Sequence, residues 1–237
     1  MNLLKEFSLD DKCSYIENRE QTTHYKIIEN CSTENSQALI ERGFRRFGKM
    51  YFRPICKDCD KCKSIKIDVE NYIFSKSERR VLKKSKDITT YIQKPSLTQE
   101  HLNLFKKYHL FMHKKKGWEY NETTPEHYYN SFVVGHEEFG FEVLYFIEGE
   151  LIGVDLIDVL DDGVSSIYFY YDPDFSYLSL GKLSLLNQIK FAMKSKKKWI
   201  YLGYYVEECD SLSYKADYKP YITLKGRPNI DEQYIWS

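Results

Sequence analysis

The chain has 237 residues, of which 42% are hydrophobic, and this is enough to bury the core of one large domain or two modest ones. No apolar run approaches the ~20 residues that cross a membrane, and Lys5 and Glu6 follow the start too closely for a signal peptide. We therefore expect a cytoplasmic protein, without a membrane partner, whose six cysteines are reduced.

The formal net charge of zero conceals two blocks of opposite sign. Residues 42–116 carry 21 Lys and Arg against 7 Asp and Glu, whereas residues 117–181 carry 14 Asp and Glu and no Lys or Arg. One explanation is that a polyanion such as RNA or DNA binds the basic block. The alternative is that the two blocks neutralise each other across an internal interface.

The first 87 residues predict a small, irregular domain. A helix is predicted over 35–43, with a polar N-cap and a glycine stop at Gly43. A strand is predicted over 64–69, where isoleucine and valine alternate with polar residues, and 77–86 is a basic helical or turn segment.

Three cysteines recur at two-residue intervals inside the basic block. Cys56, Cys59 and Cys62 can turn their sulfur atoms towards one metal ion, and packing gives no reason for such a repeat. Three of six cysteines within seven positions also differ from a disulfide framework spread through a small secreted domain. The pattern predicts a metal or cluster site, and the alternative is a solvated loop with reduced thiols.

From residue 88 onwards, the order of predicted elements is that of a GNAT-like acyltransferase domain. Periodicity and turn signals predict a strand, two helices, a three-stranded antiparallel meander, a long helix and two strands. These elements are 88–93, 97–116, a helix that begins near Pro125, 141–148, 151–159, 165–171, 179–198, 199–206 and 221–224. We predict an α+β chain, with a Cys-containing N-terminal domain over 1–87 and a GNAT-like domain over 88–237.

Several motifs occur in the order expected for one family. They are Gly43-Phe44-Arg45-Arg46, the Cys56, Cys59 and Cys62 triplet, Arg79-Arg80, Tyr168-Phe169-Tyr170-Tyr171-Asp172-Pro173-Asp174-Phe175, Ser179-Leu180-Gly181, Leu202-Gly203-Tyr204-Tyr205, Tyr214-Lys215 and Tyr218-Lys219-Pro220. Together they resemble the arginyl-tRNA–protein transferase family, and within it the bacterial aspartate/glutamate leucyltransferases. The resemblance implies transfer of leucine from leucyl-tRNA to the N-terminal Asp or Glu of a protein, which marks that protein for degradation as an N-degron.

The chemistry of that reaction agrees with the absence of a nucleotide-binding motif from the sequence. An aminoacyl ester is already activated, so transfer requires no cofactor, and no Gly-rich phosphate-binding signature is present in the sequence. The turn over 172–178 is acidic and bulky, which disfavours a pyrophosphate and hence an acetyl-CoA N-acetyltransferase. Two further alternatives are a metal-thiolate RNA-binding protein without catalysis, and a transferase that uses arginyl- or phenylalanyl-tRNA. We expect a monomer.

Four residues near the ends of the predicted central strands are catalytic candidates. Asp172 is the candidate to hold or deprotonate the acceptor α-amine, and the alternative is a carboxylate that caps the turn at Pro173. Tyr168 and Tyr170 lie on one face of a strand, and Tyr204 lies on the next strand. Their hydroxyl groups would orient the ester or the 3′-terminal adenosine, unless these side chains belong to the core.

Basic residues supply the candidates for substrate binding. Arg45 and Arg46, with Arg79 and Arg80 behind them, are predicted to bind the acceptor side-chain carboxylate, because a planar guanidinium suits it better than an ammonium group. The alternative for each pair is a tRNA phosphate. The predicted tRNA contacts are Lys83, Lys84, Lys114, Lys115 and Lys116.

The resemblance also adds a fourth cysteine to the triplet. Cys13, in Cys13-Ser14-Tyr15-Ile16, resembles the N-terminal cysteine motif of the family. Four thiolates would suit Zn²⁺ or an iron–sulfur cluster, and spacing alone does not choose between them. Cys31 and Cys209 remain as bystanders.

Overall fold

The computed structural model describes residues 2–237, which form a mixed α+β structure, as predicted. The strands in this range are Asn2–Lys12 (β1), Glu20–Glu29 (β2), Arg45–Phe47 (β3), Met50–Pro54 (β4), Lys63–Asp68 (β5), Thr89–Gln93 (β6), Gly140–Ile147 (β7), Glu150–Val159 (β8), Gly163–Tyr171 (β9), Trp199–Tyr205 (β10) and Tyr221–Thr223 (β11). The helices are Thr33–Ile40 (α1), Lys76–Lys84 (α2), Gln99–Lys116 (α3), Pro125–Phe132 (α4), Leu180–Lys194 (α5) and Asp210–Ser213 (α6). No helix within the described range is both long and apolar enough to cross a membrane.

The strands form two sheets. The smaller sheet has four strands in the order β1-β2-β4-β3, and the larger has seven in the order β11-β5-β10-β9-β8-β7-β6. All neighbouring strands within residues 2–237 are antiparallel except β9 and β10, which run parallel because helix α5 connects them. The single parallel pair therefore lies near the middle of the larger sheet.

The prediction of an irregular N-terminal region is wrong. Strands β1 and β2 form a long hairpin, and β2 also pairs with β4. Strand β1 is exposed along almost its whole length, so its apolar residues contribute little to a core. The pairing between the two strands, rather than burial of β1, holds this element in place.

The chain passes from the smaller to the larger sheet well before residue 87. Strand β5 lies between β11 and β10 in the larger sheet, and its Ile65 and Ile67 join the core beneath α5. Helix α2 also packs against α5. The division between the two sheets therefore falls between β4 and β5, and does not coincide with a boundary at residue 87.

Local capping signals explain where several helices begin. Ser75 and Glu78 form a reciprocal capping box at the start of α2. The side chain of Thr124 accepts a hydrogen bond from the His127 amide, with Pro125 at the first position of α4, as the sequence predicts. These two helices and α3 then place their apolar faces on the larger sheet, which has a core on each face.

The opposite charge blocks meet inside the protein. Arg46 forms a buried ion pair with Asp158, and Lys107 contacts both Asp172 and Asp174. Internal neutralisation, which the sequence left open, therefore accounts for part of the charge segregation. It does not account for all of it, because Arg79, Arg80, Lys83 and the lysines of 114–116 are exposed and form no ion pair within residues 2–237.

Candidate active site

The larger sheet opens between its two parallel strands. Strands β9 and β10 pair only at their first residues, from Trp199 opposite Gly163 to Tyr201 opposite Ser165. Beyond this point the strands part, so carbonyl groups that would have paired across the sheet lose their partners. Buried carbonyl groups without a donor are costly, so another group must satisfy them.

Both strands carry a bulge at the point where they part. On β9, Tyr168 pairs with Leu156 and Ser166 pairs with Ile157, so Ile167 is the extra residue. On β10, the pairing with β5 skips Leu202, and the next residue, Gly203, has φ of +73°. A positive φ at this position favours glycine.

Two basic side chains satisfy the free carbonyl groups from opposite sides of the opening. Arg45 Nη2 donates to the carbonyl oxygens of Ser166, at 3.2 Å, and Ile167, at 2.9 Å. Lys215 Nζ donates to those of Leu202, at 2.8 Å, and Tyr204, at 2.7 Å. Each bulged strand is thus capped by one basic side chain, and we call the space between them the splay cleft.

The splay cleft is a cavity of about 260 Å³. Its lining combines aliphatic side chains with tyrosines, two small residues of α5 and the two basic residues, but includes no acidic side chain. The lining residues are Arg45, Tyr108, Ser166, Ile167, Tyr168, Phe169, Tyr171, Gly181, Ser184, Leu185, Leu202, Leu212, Tyr214 and Lys215. An apolar chamber with two basic side chains at its wall suits a ligand that has both an apolar side chain and a negatively polarised group.

A larger open groove adjoins the splay cleft. It has a volume of about 720 Å³ and shares Gly181 and Tyr214 with the cleft. Tyr72 and Tyr218 supply further aromatic surface, and two lysines lie at its wall: these are Lys182 and Lys219. Two acidic residues, Glu78 and Asp217, line the same groove, so the cleft opens onto a surface that combines aromatic side chains with charges of both signs.

The structure separates the three predicted tyrosines. Tyr168 lines the splay cleft, and its hydroxyl group lies 2.9 Å from Nε2 of His109. Tyr170 is fully buried beneath α3 and α4, where its hydroxyl group bonds to that of Tyr128. Tyr204 donates to the backbone carbonyl groups of Gly43 and Phe52, so it ties β10 to the smaller sheet. The geometry leaves only Tyr168 at the cleft.

Asp172 does not line the splay cleft. It is buried at the end of β9, it accepts a hydrogen bond from the Asp174 amide, and Lys107 Nζ lies 2.7 Å from its carboxylate. A carboxylate that caps a turn and pairs with lysine has both oxygens occupied. This geometry matches the turn-capping alternative and gives no support to Asp172 as a base.

The two neighbouring arginines face opposite surroundings. Arg45 lines the splay cleft, and its Nε and Nη1 make no hydrogen bond within residues 2–237. Arg46 is only 3% exposed and donates to both oxygens of Asp158, at 2.5 and 2.9 Å. The prediction that Arg46 binds an acceptor therefore requires correction, because its guanidinium is already bound and buried.

The remaining predicted binding residues lie on helices at the surface. Arg79, Arg80, Lys83 and Lys84 belong to α2, where Lys84 Nζ donates to the carbonyl of Tyr177. The last three lysines, Lys114, Lys115 and Lys116, end α3 before Gly117. None of these seven side chains lines the splay cleft.

The four predicted metal-binding cysteines are all half-buried, and Cys13, Cys56 and Cys59 lie close enough to Cys62 to act on its thiol. Burial raises the pKa of the Cys62 thiol to about 12, and negative charge on Cys13, Cys56 and Cys59 adds to the effect. Arg19 Nη1 lies 3.9 Å from Cys59 Sγ. Within residues 2–237, however, no three Cys, His, Asp or Glu side chains converge closely enough to share a metal ion.

Sequence reasoning missed Lys215 and Gly203 as parts of the site. Lys215 belongs to a 3-10 turn, Tyr214–Asp217, whose charged residues look like an ordinary exposed turn. It is nevertheless only 5% exposed. Both residues lie within motifs that carried the family resemblance, and that was the only available signal.

Two family models together match most of the chain. "Arginine-tRNA-protein transferase, N terminus" matches residues 11–80, and "Arginine-tRNA-protein transferase, C terminus" matches residues 100–225. The second match alone covers more than half of the chain, and it includes β9, β10 and Lys215.

Similar proteins extend over nearly the whole length. An aspartate/glutamate leucyltransferase of Campylobacter jejuni is 51% identical over 230 residues, which are 97% of this chain and 96% of that protein. An aspartate/glutamate leucyltransferase of Helicobacter hepaticus is 42% identical over 236 residues, which are 100% of this chain and 98% of that protein. Among solved structures, FemX is similar with a TM-score of 0.47 and 10% identity, over 77% of this chain and 63% of that one; these values carry no conclusion about this chain. On the sequence matches, the chain belongs to the arginine-tRNA-protein transferase family.

Proposed function

We propose that the protein transfers leucine from leucyl-tRNA to the N-terminal Asp or Glu of other proteins. One observation carries this proposal: relatives matched over nearly the full length bear the name aspartate/glutamate leucyltransferase. The splay cleft supports it, because its wall is basic and apolar and lacks acidic side chains. The product would be a protein with a new N-terminal leucine, which we propose acts as an N-degron in the cytoplasm.

The cleft offers separate surfaces for donor and acceptor. Ile167, Leu185, Leu202 and Leu212 form apolar walls that would receive the leucyl side chain. The free Nε and Nη1 of Arg45 would bind the acceptor side-chain carboxylate, with a charge-assisted hydrogen bond worth about 1.5–3 kcal/mol. Holding the amine against the activated ester carbonyl would then supply most of the acceleration, roughly 7–11 kcal/mol.

The adjoining groove would receive the 3′ end of the tRNA. Aromatic side chains stack on bases without regard to sequence, and the lysines at the groove wall, Lys182 and Lys219, would contact phosphates. The exposed basic residues of α2 and the end of α3 would add contacts further along the RNA. We infer a GNAT-like arrangement for the larger sheet from the order of its elements, β6 to β11.

A transfer assay with individually charged tRNAs tests the proposal. Leucyl-, arginyl- and phenylalanyl-tRNA are each incubated with peptides that begin with Asp, Glu, Arg or Ala, and the labelled product is measured. We expect transfer from leucyl-tRNA to the Asp and Glu peptides, without added nucleotide. Equal transfer to the Ala peptide, or no transfer from any charged tRNA, contradicts the proposal.

We also propose that Cys13, Cys56, Cys59 and Cys62 hold Zn²⁺ or an iron–sulfur cluster with a structural role. The donor set is chemically suitable, because three thiols lie near enough to influence the pKa of Cys62, and a cation would relieve the repulsion between thiolates. No three of the described Cys, His, Asp or Glu side chains converge on one point, so the cysteine loop would have to close around the ion. Arg227 supports the loop by donating to the carbonyl groups of Cys56 and Cys59. When bound, the metal would stabilise the junction between the two sheets.

Replacing Cys59 by serine is expected to lower both metal content and melting temperature, because metal binding contributes free energy to folding. The protein is purified anaerobically, metals are measured by mass spectrometry, and unfolding is followed by circular dichroism. Cys209→Ser is the matched control, since this half-buried cysteine lies outside the group of four. Metal-free wild-type protein, with a melting temperature that a chelator leaves unchanged, would show that the four thiols form only a reduced loop.

A further inference from the structure

Lys215 is a buried amine at the centre of the proposed reaction. It is 5% exposed, it lines the splay cleft, and its Nζ donates to the carbonyl groups of Leu202 and Tyr204. Within residues 2–237, no carboxylate forms an ion pair with it. A buried lysine without a counter-charge is rare, because the ammonium ion loses its hydration.

The groups that face Lys215 favour its neutral form. Burial, and then the positive charge of Arg45 on β3, lower the pKa of Lys215 well below its ordinary value. The Cys209 thiol, before α6, opposes this effect only as a thiolate. The hydroxyl groups of Tyr108 and Tyr214, which also line the cleft, are uncharged at neutral pH, and burial raises the pKa of both further.

The neutral form of Lys215 would have one free bonding position at Nζ. A neutral amine has two N–H groups and one lone pair. The carbonyl groups of Leu202 and Tyr204 accept both N–H groups, so the lone pair is the remaining bonding position. In its neutral form, Lys215 would therefore present its lone pair to the space for the reacting groups, with both N–H groups held by the backbone of the bulged strand.

We propose that Lys215 accepts the proton that the acceptor α-ammonium group must lose before it attacks the aminoacyl ester. This inference rests on the proposed function. The N–H bond of the ammonium group breaks and a new one forms at Nζ, and the freed amine attacks the ester carbonyl carbon. The bond from that carbon to the ribose oxygen breaks as the amide forms. The attacking nitrogen loses its second proton to the ribose oxygen, and Lys215 releases the first to solvent, so one proton is released in total.

Two substitutions separate proton transfer from structural support. Lys215→Met removes both, whereas Lys215→Arg keeps donors for the two carbonyl groups but cannot accept a proton at neutral pH. Transfer from leucyl-tRNA to an Asp peptide is measured in single turnovers from pH 6 to pH 9. We expect both variants to be at least about 100-fold slower than wild type at pH 7.

The pH dependence gives the decisive readout. An α-amine has an ordinary pKa near ~8, so solvent alone raises its neutral fraction roughly tenfold between pH 7 and pH 9. The ratio of the wild-type transfer rate to that of Lys215→Met should therefore fall about tenfold between pH 7 and pH 9. A deficit of the same size at every pH, or wild-type activity in Lys215→Arg at pH 7, overturns the proposal.

Asp155 supplies a control, because burial raises its pKa to about 7 and its titration could imitate that of Lys215. It lies outside the lining of the cleft, so Asp155→Asn should keep the shape of the wild-type pH profile.

NMR measures the titration of Lys215 directly and needs no active variant. The ¹³Cε chemical shift of Lys215 is followed against pH in lysine-labelled wild-type protein, and its signal is assigned by its absence from Lys215→Arg. A midpoint below about pH 8, the ordinary value of the acceptor α-amine, supports the proposal, and a midpoint above that value contradicts it. If wild-type protein transfers nothing, the proposed function fails; if it transfers leucine but the variants match it, only the role of Lys215 fails.

Discussion

Replacing Arg46 by alanine is expected to lower the free energy of unfolding by about 3–5 kcal/mol, because it leaves a buried carboxylate without its partner. Asp158 is fully buried and accepts two hydrogen bonds from Arg46. Burial opposes the charge on Arg46, but the Asp158 carboxylate outweighs it, so the pKa of Arg46 lies above its usual range. Urea unfolding followed by circular dichroism measures the loss.

Two controls identify the cause. The double substitution Arg46→Met with Asp158→Leu removes both charges at similar volume, and it should recover most of the lost stability. Arg79→Ala, at an exposed position of α2, should change stability by no more than about 0.5 kcal/mol. If Arg46→Ala unfolds at the wild-type urea concentration and loses only its use of acidic acceptors, Arg46 belongs to the substrate site after all.

The contrast between Arg45 and Arg46 shows what the sequence could and could not predict. Successive residues on a strand point to opposite faces, so only one of two adjacent arginines can face a given ligand. Choosing between them requires knowing where Asp158 lies, and Asp158 is far along the chain on another strand. The arginine pair was therefore identified as important, but its division into one cleft residue and one structural residue was not.

The same reasoning explains which elements were predicted. Helix α4 and the strands β7 to β10 carry local signals, namely a capping threonine with proline, glycine turns and apolar runs, and all of them form. Strand β1 carries no such signal, because its pairing with β2 buries little of it. The bulges at Ile167 and Gly203 depend on pairing between distant strands, so no local pattern announces the splay cleft.

Replacing Gly203 by alanine is expected to reduce transfer about 100-fold while the protein remains folded. The residue has φ of +73°, and a Cβ atom there would lie 2.6 Å from Cδ and from Cζ of Arg45, and closer still to Nη1. The guanidinium would have to move off the carbonyl groups of Ser166 and Ile167. A displacement of about 1 Å in a positioning group can cost 10²-fold in rate, whereas the positive φ costs roughly 1–2 kcal/mol of stability.

Gly149 separates these two effects, because it shares the backbone conformation but not the contact. Its φ is +87°, and a Cβ atom there would meet nothing within 4 Å. Gly149→Ala should therefore lose a similar amount of stability and keep wild-type transfer, as measured by thermal unfolding and by single turnovers with leucyl-tRNA. Equal rates in the two variants would mean that the position of Arg45 does not limit transfer. A slow Gly203→Ala beside a fast Gly149→Ala would instead show that transfer depends on the close contact between Gly203 and Arg45, which only a residue without a side chain allows.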